Sequence, residues 1–351
     1  MILRWTWAHR PASRWLSDAI RGFWSQIFSA AFEARASRFL CVFLLLPAGV
    51  GIPSRMTETL ITNSADAAIV SSPVAGGLVP ARQTHRSAAL ALRTHWPEYL
   101  MESAELALFM ISACVVTAVL EHPASPLNDI LPSPFTRRLI TGVAMGLTLL
   151  ALIHSKWGKR SGAHMNPAFT LMFLRLGKVE AWDAAFYAVS QFAGGVAGVL
   201  ISLLLLGPWL AHPKVNFAAT QPGMGGILVA FAAELLISFV LALTVLVVSN
   251  HSTISRFTPY CAASLVAAYI TFEAPFSGMS MNPARTLGSA FPAHMFHALW
   301  IYFTAPPLAM LMAAELYVRA GSARSVYCAK FHHANNQRCI FRCRYMEMKN
   351  G

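Results

Sequence analysis

Gly162-Ala163-His164-Met165-Asn166-Pro167-Ala168-Phe169-Thr170 and Gly278-Met279-Ser280-Met281-Asn282-Pro283-Ala284-Arg285-Thr286 share Gly, Met, Asn, Pro, Ala and Thr in register. Asn is a strong helix N-cap, and Pro suits the first helical position because no donor is lost there. Each motif leads into an apolar stretch, Ala168–Leu176 and Ala284–Phe291. About nine residues at 1.5 Å each span roughly 14 Å, half the thickness of a bilayer. The repeat therefore reads as two half-helices whose N-termini meet at a membrane midplane. Non-helical backbone at that depth is tolerated only when it is buried in protein or lines a water-filled cavity.

The rest of the chain supports a membrane setting. It is 56% hydrophobic and 12% charged, with a mean hydropathy of +0.52. A soluble domain would carry roughly twice that charge. Six segments read as spans: Tyr99–Leu120, Leu139–His154, Trp182–Leu206, Ile227–Ser249, Pro259–Phe272 and Phe296–Val318. An even number of spans places both termini on one side. Of the 27 Lys and Arg residues, only Arg137, Arg138, Lys214 and Arg285 then lie opposite the termini. The positive-inside rule makes the termini cytoplasmic and the protein a multi-pass resident of the cell membrane. The net charge of +12 is thus explained by the lipid bilayer, and no nucleic acid is expected as a partner.

Three regions follow. Residues 1–95 form a basic, Trp-containing extension and then a Ser/Ala/Gly-rich stretch. They read as an interfacial anchor, a signal-anchor, a disordered extension or the product of a mis-assigned start. Residues 96–319 hold the six spans in two halves of three, each with its Asn-Pro-Ala between the second and third. Three spans per half force opposite topologies, an inverted repeat. Residues 320–351 are a polar, basic tail. The fold class is an all-α membrane protein of six transmembrane helices and two re-entrant half-helices.

Two opposed half-helices place their positive dipole ends at the midplane, which disfavours cations and protons. Asn166 and Asn282 offer amide donors to a passing solute oxygen, interrupting a proton wire. Arg285 adds a fixed cation where the first repeat has Phe169. Few charges reach this pore, which disfavours an ion-coupled transporter.

The core resembles the aquaporin (major intrinsic protein) family. The resemblance rests on Ser161-Gly-Ala-His-Met-Asn-Pro-Ala168, Gly278-Met-Ser-Met-Asn-Pro-Ala-Arg285, Gln191 with Gly194-Gly195, and Glu234. It implies a homotetramer with one pore per subunit, passing water or small neutral solutes. It also implies a selectivity constriction at Met145, Ile270, Met279 and Arg285. Water-specific relatives usually place an aromatic residue and a His at the first two positions, and here both are aliphatic. Thr286 replaces the Asp typical of glycerol-type relatives, and Ala290 with Tyr302-Phe303 resembles the water type. The expected function is a water channel that admits small neutral solutes. The alternatives are a glycerol-type facilitator, or a membrane-embedded metal or redox sensor.

By the same resemblance Glu234 anchors the second re-entrant loop, and Glu102 and Glu105 compete for the equivalent role in the first. In the tail, Cys328, His332, Cys339 and Cys343 stand at i, i+4 spacings that would share helical faces. That set has the composition of a Cys3His zinc site. No other cofactor is expected. No Ser-His-Asp arrangement, phosphate loop or catalytic carboxylate pair is discernible, so no enzymatic activity is expected.

Overall fold

The structure, a computed structural model, describes residues 87–321 and 326–350. The extension assigned to residues 1–95 lies outside the described residues except for its last part. There the structure departs from the sequence reading. The first helix, α1, runs Ala88–Glu121, and the side chain of Ser87 caps it by accepting from Leu90 N. It starts eleven residues before the expected Tyr99 and carries Pro97 inside it. A proline ordinarily signals a helix boundary. At about 51 Å, α1 is longer than a bilayer core, so its first turns project beyond the span.

The remaining long helices are α2 (Pro134–His154), α4 (Ala181–Leu206), α5 (Gly226–Ser249), α6 (Thr258–Phe272) and α8 (Leu299–Ala320). Two short ones are α3 (Pro167–Arg175) and α7 (Pro283–Ala293). Among the described residues, α1, α2, α4, α5 and α8 are long and apolar enough to cross a membrane. α6, with 15 residues, covers only about 22 Å. After Glu273 comes the short helix Ala274–Ser277, and with α6 counted the long helices among the described residues number six.

The packing shows the two halves. α1 lies against α4, and α5 against α8, the same pair in each half. α2 meets α6 across the division. Each half-helix is supported by the other half: α3 packs on α8, and α7 on α4. This exchange follows when one half is inverted relative to the other.

Close approach is enforced by missing side chains. A Cβ on Gly194 of α4 would lie 2.1 Å from Ser103 O of α1. Gly195 stands close to the backbone of α7, where an added Cβ would be 2.5 Å from Ala284 O.

The tail was expected to be polar and basic, yet residues 326–350 are packed. Val326, Ala329, Phe331, Ile340 and Phe341 are all buried. Only Tyr345–Asn350 is helical; the rest is irregular backbone held by contacts to the channel.

Candidate functional site

The two Asn-Pro-Ala loops meet as the sequence pattern requires. Asn166 caps α3, its Oδ1 accepting from Ala168 N at 2.8 Å. Asn282 caps α7, accepting from Ala284 N at 3.0 Å and Arg285 N at 3.3 Å. Each Asn also reaches across the pseudo-symmetry. Asn166 Nδ2 donates to Met281 O, and Asn282 Nδ2 to Met165 O, both at 2.7 Å. A side-chain amide has two donors, so each Asn keeps one N–H for the lumen. Ala168 and Ala284, directly behind the prolines, are fully buried where the half-helices pack.

Both loops need left-handed backbone at non-glycine residues. Ala163 and Met165 have φ of 57° and 47°, and Met279 and Met281 have 50° and 55°. Such conformations cost of order 1–3 kcal/mol each unless surroundings impose them. Two buried carboxylates impose them. Glu102 accepts from His164 N (2.9 Å), Met165 N (2.6 Å) and Gln191 Nε2 (2.8 Å). Glu234 accepts from Ser277 Oγ (2.8 Å), Ser280 N and Met281 N (both 2.7 Å). Of the two competitors in α1, Glu102 takes the loop amides, and Glu105 accepts only from Ser161 Oγ. Tyr187 and Tyr302 tie the start of each loop through Ser161 O and Ser277 O.

A cavity of about 450 Å3 runs between the helices. At one end, the far side, it is lined by Glu121, Arg138 and Lys214. Met145, Ile270, Met279 and Arg285 all face it. Arg285 is held by donating Nη1 to Ala218 O at 2.8 Å. Asn166 and Asn282 line the middle. The opposite, tail-side end is formed by Leu149, Ala262, His164, Phe169 and Phe331 of the tail.

In the tail, Cys328, His333, Cys339 and Cys343 bring their ligand atoms within 4.8 Å of one another. His332, expected in this set, is not a member: its ring packs against His154 at 4.8 Å. Residues at i, i+4 share a face only in a helix, and residues 326–344 are irregular, so the neighbouring His333 points inward instead. The hydrogen bonds to Cys339 and Cys343 outweigh the burial of His333 and raise its pKa to about 9. Burial, then the charges of His154 and Lys159, lower that of His332 to about 4.

Sequence reasoning missed a second polar group on α1. His95 Nδ1 lies 2.8 Å from Asp183 Oδ1, and Tyr99 donates to the same oxygen at 2.6 Å. Glu98, fully buried, pairs with Arg160 at 2.9 Å. The signal was available: residues 98, 102 and 105 share one helical face, and three carboxylates there need donors from a neighbour.

Residues 91–317 match the profile of the family described as "Major intrinsic protein". The chain is 27% identical over 271 residues to "Aquaporin NIP2-1" of Oryza sativa subsp. japonica, covering 74% of this chain and 87% of that protein. It is 32% identical over 186 residues to "Aquaporin NIP1-1" of Arabidopsis thaliana, covering 51% of this chain and 62% of that one. With "Aquaporin NIP2-2" of Zea mays it shares 33% over 176 residues, 50% of this chain and 58% of that one. Thus the chain spans about three fifths of the maize and Arabidopsis relatives. The solved structure "X-ray structure of the aquaglyceroporin from Plasmodium falciparum" superposes with a TM-score of 0.52 at 19% identity, over 64% of this chain and 96% of that one, a likeness of fold. The chain belongs to the major intrinsic protein family of transmembrane channels for water and small solutes.

Proposed function

We propose that the cavity conducts water passively and also admits small uncharged solutes such as glycerol. One observation carries the reading. A single continuous cavity is lined by both loop asparagines and by Met145, Ile270, Met279 and Arg285. The donors that line the cavity include the free N–H of each Asn and the Arg285 guanidinium, so an oxygen-bearing solute is met at the middle and at one end. Between them, Met145 and Ile270 contribute no hydrogen-bonding group beyond a thioether. A narrow filter built on an aromatic residue and a His would select water by size and donor geometry. Two aliphatic side chains favour a wider, less polar opening. Cations are opposed by Arg285 and by the dipoles of α3 and α7.

The tail side is assigned to the cytoplasm, with both termini there and the protein in the cell membrane, on the distribution of Lys and Arg. We assign a homotetramer as the assembly on the family resemblance alone; exposed apolar residues such as Leu147, Val189, Leu204 and Leu228 leave faces for lipid or further copies.

The test is stopped-flow light scattering on proteoliposomes of the full chain, shocked with an impermeant osmolyte and then with glycerol. The expected result is fast shrinkage followed by re-swelling in glycerol. Fast shrinkage without re-swelling overturns the wide constriction. Absence of acceleration over empty vesicles, both for the chain and for Phe331→Ala, overturns the channel reading.

A further inference from the structure

The tail brackets its contacts with the pore between its cysteines and one histidine. Ala329, Lys330 and Phe331 lie between Cys328 and His333, and Ile340, Phe341 and Arg342 lie between Cys339 and Cys343. These two stretches grip the first Asn-Pro-Ala loop. Ala329 O is 2.8 Å from His164 Nε2, and Phe331 N donates to Gly162 O at 3.2 Å. Lys330 Nζ donates to Lys159 O at 2.7 Å. The Phe341 ring stacks on His164 at 5.2 Å, and Arg342 N donates to Lys178 O at 3.0 Å. The Phe331 ring stands edge-on to Phe169 at 5.0 Å. No residue of the neighbouring tail-side helix Lys156–Ser161 lines the cavity. Phe331 is the tail residue that lines the cavity.

An irregular segment of this length has little core of its own, and a structural metal is a common remedy. The four bracketing side chains have the right chemistry, three thiols and an imidazole. They also have fitting geometry. Tetrahedral zinc with Zn–S near 2.3 Å and Zn–N near 2.0 Å sets ligand–ligand edges of about 3.5–3.8 Å. Cys328 and Cys339 Sγ are 3.6 Å apart, His333 Nε2 and Cys343 Sγ 2.9 Å, and all four atoms fall within 4.8 Å. The His333 ring is oriented by stacking on Tyr345 at 4.1 Å.

We propose that Cys328, His333, Cys339 and Cys343 bind one zinc ion, and that this ion clips the tail onto the first loop with Phe331 across the tail-side end of the pore. Binding releases the thiol protons and leaves His333 neutral. The gating half of the proposal rests on the channel reading above; the metal half does not.

Full-length protein, purified reduced and desalted after exposure to zinc, is assayed for metal. About one zinc per chain is expected, with a tetrahedral thiolate spectrum when cobalt is substituted. Cys339→Ser with Cys343→Ser should lose it, and His332→Ala should keep it. Wild-type protein that is folded and reduced but metal-free overturns the site, as does equal loading of the double serine variant. In proteoliposomes, stripping zinc with phenanthroline should raise water permeability several-fold. Phe331→Ala should bind zinc normally, conduct at the stripped level and ignore the chelator. Loss of zinc with no change in the wild-type rate, while Phe331→Ala conducts, overturns the clip alone. Silence of Phe331→Ala, stripped or loaded, overturns the channel reading, and the metal count still decides the site.

Discussion

The two Asn-Pro-Ala loops carry the same skeleton and end in opposite chemistry. Each is anchored by a buried carboxylate, tied by a tyrosine, and bent through left-handed residues at matched positions. Beyond the Asn-Pro-Ala they diverge. Arg285 of the second loop projects a cation into the far-side end, fixed by Ala218 O. Phe169, its counterpart, meets Phe331 of the tail. A subtler exchange is His164 for Ser280. Both bond the Thr that opens their half-helix, Thr170 or Thr286. The imidazole has a second nitrogen, and it reaches the tail at Ala329 O. The shared residues solve a shared problem, irregular backbone at membrane depth. The different ones answer to what each end faces.

Glu102→Ala and Glu234→Ala should break the common skeleton and give the largest effect. Each orphans three donors, and a buried unpaired donor costs about 1–3 kcal/mol. A loss of about 3–9 kcal/mol is expected, read as a large fall in the unfolding temperature in detergent. Glu105→Ala strands only the Ser161 hydroxyl and should cost about 1–2 kcal/mol. A larger loss for Glu105→Ala than for Glu102→Ala would break the equivalence of Glu102 with Glu234.

Arg285→Ala tests the divergent ends. A cation about 4 Å from the guanidinium, at an effective dielectric near 20, is opposed by about 4 kcal/mol. Partial screening reduces this, so a proton or alkali-ion leak about ten- to a hundredfold above wild type is expected in a pH-dye vesicle assay. Phe169→Ala should leave ion exclusion intact. Equal leaks from both variants would place the barrier at the half-helix dipoles rather than at the charge.

How far the molecule could be read in advance follows from the same contrast. The paired loops were legible because the repeat prints Asn166 and Asn282 in identical contexts, and Asn and Pro have few uses in apolar sequence. The start of α1 was not, because Pro97 looks like a boundary and the cap at Ser87 lies in unremarkable composition. Glu102 and Glu105 could not be separated, because both face the same neighbours and only the distance to His164 N and Met165 N decides. The tail was misread at His332 because ligand spacing was judged on a helical period. In irregular backbone, adjacent residues such as His332 and His333 point to different partners.

Gly194→Ala probes whether the halves are interchangeable at their helix crossings. In the first half the crossing of α1 and α4 uses Gly194, whose added Cβ would meet Ser103 O at 2.1 Å. In the second half α8 carries Ala309, fully buried, at the matching place after its tyrosine. The clash is with backbone, so helices must shift, at about 1–3 kcal/mol. A neutral result in a detergent melt would show that the first crossing can relax to the spacing of the second.

The smallest effect sharpens the far-side end. Met145→Phe with Ile270→His replaces two aliphatic walls by a ring and a donor. Neither position bears on the carboxylate anchors, so stability should be nearly unchanged. Water is small and the substitutions leave the Asn and Arg285 donors in place, so its rate should fall less than twofold. Glycerol must bring three carbons through the opening, and even one methylene of misfit in a tight site costs about 1–3 kcal/mol. Re-swelling in glycerol should slow by about tenfold, the lower end of that range. Should neither water nor glycerol slow, the limiting aperture lies elsewhere along the lumen. The tail-side end at Phe331 would then set solute size as well as closure, because it is the other place where aromatic rings crowd the cavity.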